Sequence, residues 1–147
     1  MGMFDGLNIS ASALTAQRLR MDVISSNMAN MDTTRSKRVN GEWQPYRRKE
    51  IHLEQAKPEF RSFLQQAENH SPGGVKVKRI TDDPTPFKEV YQPDNPHADK
   101  NGYVKMPNVD PLKEMVDLMS ATRSYEANVT VLNANKNMLL KALDIGK

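Results

Sequence analysis

The residues in this 147-residue chain that are able to do chemistry are few and scattered. The three histidines, His52, His70 and His97, stand singly, and none lies one helical turn from another ligand. A zinc site needs such clustering, because its ligands must converge on one ion. The run HADKNG at 97–102 faintly resembles a calcium loop. It opens on His97 where such a loop has Asp, and its twelfth position is Asn108 where Glu is needed. Asp82 and Asp83 could form a carboxylate pair, but TDDPTP reads better as turn and cap chemistry. The sequence holds no glycine-rich phosphate loop, GxSxG elbow or HExxH. It holds no cysteine, and so no thiolate nucleophile and no disulfide. The expectation is a protein without catalytic, metal-binding or cofactor-binding residues.

One charged stretch stands out. From Arg35 to Arg61, eight Lys and Arg residues meet four Glu, with Trp43 and Tyr46 between them. A basic module that binds nucleic acid can look like this. The interleaved glutamates favour a solvated outer face instead, since a phosphate-binding stripe usually carries one sign of charge. The whole-chain balance, +3 with a pI near 9.2, is only mildly basic.

The elements that must position these residues are unusual for so short a chain. Hydrophobic residues make up 37% and mean hydropathy is −0.71, enough for a modest core but low for a self-sufficient globule. Nine Met against four Phe point to adaptable apolar surfaces that finish their burial against partners. No run of 18 apolar residues exists, so no membrane-spanning helix is expected. The opening MGMFDGLNIS lacks the basic and apolar regions of a secretory signal. The chain is therefore expected to be cytoplasmic, or exported by a route that needs no cleaved signal.

Two helices flank a middle of different character. Residues 5–31 carry a stripe of Leu7, Leu14, Met21 and Met28, seven apart. The helix ends in SSNMANMDTT, where Asn27 and Asn30 compete for backbone bonds and tolerate the left-handed conformation. Residues 111–145 carry a second stripe through Leu118, Tyr125, Val129, Leu132, Leu139 and Leu143, with Thr122 and Lys136 at intervening steps. Pro111 suits the first helical position, Asp110 the cap before it, and Gly146 the stop. At about 1.5 Å per residue these helices reach roughly 40 and 50 Å. Eight of the nine prolines fall between them. That segment reads as short strands at 46–53, 75–80, 87–91 and 102–106, with one or two helical turns at 58–69.

The expected fold is therefore mainly α: long N- and C-terminal helices forming a coiled-coil-like bundle around a small, loop-rich, β-containing middle domain. The expected divisions are 1–34, 35–109 and 110–147. Two helices cannot cover two wide apolar stripes, so helices from other chains should complete the burial. A soluble helical-hairpin adaptor, or a basic nucleic-acid-binding module, are the other readings the residues allow.

Two blocks resemble a known family. SALTAQRLRMDVISSNMANMDTT (12–34) resembles the N-terminal signature of bacterial flagellar rod, hook and hook-associated proteins. Its Asn27, Ala29, Asn30 and Thr33 match the family's NxANxxT element. EMVDLMSATRSYEANVTVLNANKNMLLKALDIG (114–146) resembles the partner C-terminal signature, most specifically at Arg123, Tyr125, Glu126, Ala127 and Asn128. The segment 80–110 and the short length are similar to the proximal-rod members. The resemblance implies a structural subunit of the flagellar basal body, without enzymatic activity or cofactor. It implies passage through the flagellar type III export apparatus without a cleaved signal peptide. It further implies helical polymerisation in the periplasm with copies of itself and with proximal and distal rod subunits, into a shaft that carries motor torque to the hook. It implies neither nucleic-acid binding nor a membrane span. Subunit packing would fall to Leu7, Leu14, Met21, Met28, Leu118, Tyr125, Val129, Leu132, Leu139 and Leu143.

Overall fold

Local chemistry sets each element. The computed structural model describes residues 4–56 and 73–145. The helical turns expected at 58–69, His70 and the stop at Gly146 lie outside the described residues. Helix α1 runs Asp5–Ala29, with Asp5 near its positive end. Helix α2 runs Pro111–Ile145. Asp110 caps it, its Oδ1 accepting the Leu112 N–H at 3.1 Å, and Pro111 occupies the first position, where a missing N–H costs nothing.

Between the helices, among the described residues, lie six strands in three two-stranded sheets. Strands β1 (Lys37–Val39) and β2 (Glu42–Gln44) pair antiparallel through Arg38↔Trp43. Their connection is Asn40–Gly41, with φ of 51° and 89°. A two-residue hairpin needs positive φ at both positions, and Asn-Gly supplies it at least cost. Strand β3 (Lys49–Gln55) pairs with β4 (Val75–Asp82), and β5 (Lys88–Tyr91) with β6 (Tyr103–Met106). In the last pair Tyr91 and Tyr103 face each other across the ladder, their rings edge to face at 5.3 Å.

The expected mainly α, coiled-coil-like bundle is not what the chain forms. Of the described residues 47% are helical and 23% are in strands, so the class is mixed α and β. The physical reason is that the strands are short and charged. They leave little hydrophobic alternation in the sequence, whereas the helices advertise themselves by heptads. Within α2, the less exposed positions include Leu118, Ala121, Tyr125, Asn128, Val129, Leu132, Asn135 and Leu139, and Thr122 and Lys136 are exposed.

The chain divides into two compact units. The first draws on Met1–Met21, His52–Arg79 and Ser120–Lys147. There the helices meet where the Thr122 hydroxyl donates to Met21 Sδ at 3.6 Å, and where Gly6 leaves room for the Asn135 amide. Ser12 donates to Ile9 O at 2.7 Å and accepts the Val75 N–H at 3.1 Å, which docks the start of β4 on α1. Gly74 permits this approach, since a Cβ there would collide with Ser12 Oγ. Glu54 takes Lys76 at 3.1 Å and Lys78 at 3.2 Å. The second unit, Asp22–Ile51 and Ile80–Met119, has a core of Ile24, Tyr46, Val104 and Val109 with several buried polar groups.

Gly74→Ala should force β4 away from Ser12 and cost about 1–3 kcal/mol, the usual range for overpacking. Urea unfolding of the variant checks it; an unchanged midpoint would mean that the close approach at Gly74 is not a constraint.

Candidate functional site

The end of α1 is tied off by its own side chains. Asn30 Nδ2 donates to Ser26 O at 2.9 Å, and Thr33 donates to Asn30 Oδ1 at 3.3 Å and, through its N–H, to Asn30 O at 3.1 Å. Among the described non-glycine residues only Asn40 has positive φ, so Asn30 closes the helix by side-chain bonding and not by the left-handed conformation. The chain then returns through the β1–β2 hairpin, and the Tyr46 N–H donates to Thr33 O at 3.0 Å.

This return sets Tyr46 and Arg48 beside Asn27. Asn27 is 1% exposed, and its amide is saturated. Its Oδ1 accepts from the Tyr46 hydroxyl and the Lys49 N–H, both at 3.0 Å. Its Nδ2 donates to Lys49 O at 3.0 Å and to Glu114 Oε2 at 3.1 Å. Two donors meet the oxygen and two acceptors meet the nitrogen, which fixes the amide's orientation.

Glu114 is completely buried. Its other oxygen accepts from Arg48 Nε at 2.6 Å. The same guanidinium reaches Glu50, Asp83 Oδ2 at 3.4 Å and Asp117 Oδ2 at 3.8 Å. The Arg48 backbone is held as well: its N–H donates to Asn108 Oδ1 at 2.8 Å, and its carbonyl accepts the Asp83 N–H at 2.8 Å. Asp83 Oδ1 closes an Asx turn on Thr85, accepting its N–H at 2.9 Å and its hydroxyl at 2.7 Å. Asn108 Nδ2 donates to Thr85 Oγ1 at 2.8 Å. Nearby, Arg47 stacks over the Phe87 ring at 4.6 Å. One buried cation and a buried amide therefore join the end of α1, the start of α2, the start of β3 and the end of β4.

The electrostatics favour the charged forms. Burial lowers the Arg48 pKa, but the hydrogen bond and charge of Glu114, with Glu50 and Asp83, outweigh burial and leave it raised. Burial pushes the Asp83 carboxyl up, but the hydrogen bonds from Thr85, then Arg48, leave it below the usual carboxylate range. Arg48 meets four carboxylates, so the arrangement holds geometry.

The sequence-derived candidates fall around this cluster and along the helices. Leu7, Leu14, Met21, Met28, Leu118, Tyr125, Val129, Leu132 and Leu139 are half-buried, and Leu143 is exposed. Asn27 is buried; Asn30, Thr33 and Asn128 are half-buried; Ala29, Arg123, Glu126 and Ala127 are exposed. Asn128 Nδ2 donates to Ser124 O at 2.8 Å. His97 and Asp99 lie in the β5–β6 connection, where the Asp99 N–H donates to Tyr103 O at 2.8 Å. They line an open groove of about 630 Å³ with Glu42, Trp43, Glu89 and Lys105. Among the described residues no three His, Asp or Glu side chains converge as metal ligands. Sequence reasoning did not single out Tyr46, Arg48, Asn108 or Glu114. In the sequence Arg48 reads as one of a solvated run.

Residues 7–37 match the family model described as flagella basal body rod protein, and residues 100–145 match the one described as flagellar basal body rod FlgEFG protein C-terminal. The flagellar basal-body rod protein FlgC of Bacillus subtilis (strain 168) is 61% identical, with both chains covered completely.

The chain belongs to the flagellar basal-body rod protein family.

The protein of the same description from Salmonella typhimurium is 44% identical over the whole of both chains. That of Borreliella burgdorferi is 42% identical over 99% of this chain and 98% of its own. Between them the two rod-family matches include Asn27 and Glu114, the two fully buried ends of the polar cluster.

Asp83 gives the cluster a pH dependence of known sign. A carboxyl depressed below its unfolded value of about 3.9 stabilises the fold fully above that pH, and the contribution fades as pH falls through the folded value. In urea titrations, the stability gap between the parent chain and Asp83→Asn should be widest near neutrality and close below about pH 4. A gap that stays constant across that range would remove Asp83 from the account.

Proposed function

We infer that the chain is a structural subunit of the flagellar basal-body rod, which assembles with other rod components. What supports this is the full-length match to relatives described as rod proteins. The finer reading places the subunit in the proximal rod, in the periplasm. There it polymerises helically, with copies of itself and with other proximal and distal rod subunits, into the shaft that carries motor torque to the hook. The type III export apparatus delivers it without a cleaved signal peptide. Residues 1–34 and 110–147 serve as the rod-core helices and 35–109 as an outer domain. Asn27 and Asn30 hold the corner between core helix and outer domain. The relatives are described as rod proteins, and the chain is given no catalytic role.

One observation in the structure carries the assembly reading. Leu112, Met115, Val116 and Met119 recur at helical spacing on the first turns of α2, and all four are exposed, Leu112 at 76%. Glu114 and Leu118, on the opposite side, are buried or half-buried. A helix that buries one face and leaves an apolar one open suits attachment to a neighbouring subunit. Contacts of that kind, head to tail and not closing into a ring, build helical assemblies. The half-buried Leu7, Leu14, Met21, Met28, Leu118, Tyr125, Val129, Leu132 and Leu139, with the exposed Leu143, supply the remaining helix packing.

Val116→Asp combined with Met119→Asp should leave the fold within about 0.5 kcal/mol of the parent, as exposed substitutions do. In a bacterium carrying it as the sole copy, swimming should be lost and isolated basal bodies should lack a rod. Normal swimming with intact rods would exclude this face from assembly.

A further inference from the structure

We propose that Asn40 is a site of spontaneous covalent modification, and that the β1–β2 hairpin controls its rate. The sequence contains two Asn-Gly pairs, Asn40–Gly41 and Asn101–Gly102. In such a pair the glycine nitrogen can attack the asparagine side-chain Cγ, because no Cβ on glycine obstructs it. The N–Cγ bond forms, the Cγ–Nδ2 bond breaks, and ammonia leaves with the proton from the glycine nitrogen. Water then opens the cyclic imide at either carbonyl, giving aspartate or an isoaspartate whose main chain runs through Cβ.

The structure separates the two pairs. The Gly102 N–H is engaged with Asp99 O at 2.8 Å. Its hairpin has four paired positions, the packed Tyr91 and Tyr103 rings, and Val104 at 1% exposure. A Cβ on Gly102 would also meet Tyr91 at 2.8 Å, so the turn is enclosed. Gly41 has nothing within 4 Å of such a Cβ. Its hairpin is a two-stranded sheet of three paired positions, and Trp43 is 53% exposed. Two-stranded ribbons of this size are marginal and open locally. Opening frees the backbone at Asn40 to reach the attack geometry that the positive-φ turn does not hold.

The product changes the local surface. Aspartate adds a negative charge beside Glu42 on a groove that Gly41 lines together with Glu89 and Asp99. Isoaspartate inserts an extra main-chain atom into a turn whose register depends on two residues, and so breaks the Val39↔Glu42 pairing. The modification would mark aged subunits at one exposed loop while leaving the buried polar cluster intact.

The test is incubation of the purified full-length chain in warm, mildly alkaline buffer, followed by tryptic digestion and mass spectrometry with isoaspartyl methylation. The peptide Val39–Arg47 should convert from amide to acid about tenfold faster than Asn101–Lys105, reflecting easier local opening. In urea the two rates should converge, since both pairs are then unfolded. Asn40→Gln should abolish conversion in the first peptide. Equal rates in the folded chain, faster conversion at Asn101, or a difference that survives in urea would each overturn the proposal.

Discussion

A charge without water around it must be answered, and Glu114 is such a charge. It is fully enclosed, and its two oxygens are met by Arg48 and Asn27. Stripping a carboxylate of water costs several kcal/mol, and only close, well-aligned donors offset that. The constraint propagates outward. Arg48 must lie where β3 begins, Asn27 in the last turn of α1, and Glu114 in the first turn of α2. Buried ion pairs are weak sources of net stability but penalise every arrangement that separates their partners. The second unit is therefore fixed in geometry by polar groups and has only a thin apolar core.

That design suits a subunit that completes itself by assembly. The apolar residues that a self-contained domain would bury are on the outer side of α2, and the groups it does bury are those that must not move. The positions where polar groups set the fold leave the apolar surface available for neighbouring rod components. The basic stretch illustrates the division of labour: Arg48 turns inward to carboxylates, while Lys37 and Arg38 stay on the exposed hairpin.

Much of this was legible in the sequence, and the failures have physical causes. Both helices, the Asp110 cap and the Asx turn at Asp83 follow from local rules, and local rules suffice where partners are a few residues away. The β1–β2 hairpin was not expected, although Asn40–Gly41 supplies its turn. The class was misread because heptads are strong signals, whereas Lys37–Val39 and Glu42–Gln44, three residues each and mostly exposed, carry almost none. Arg48 could not be told from Arg47 or Lys49. Their difference lies in Glu114, 66 residues away, and no local pattern encodes that pairing.

The central claim, that Arg48 and Glu114 act as one unit, is tested most directly by a double-mutant cycle. Urea unfolding would compare Arg48→Met, Glu114→Gln and the combination. Each single change should cost about 3–5 kcal/mol by stranding the other group. The pair should cost less than the sum, by a coupling of about 1–3 kcal/mol. Additivity within about 0.5 kcal/mol would contradict the account.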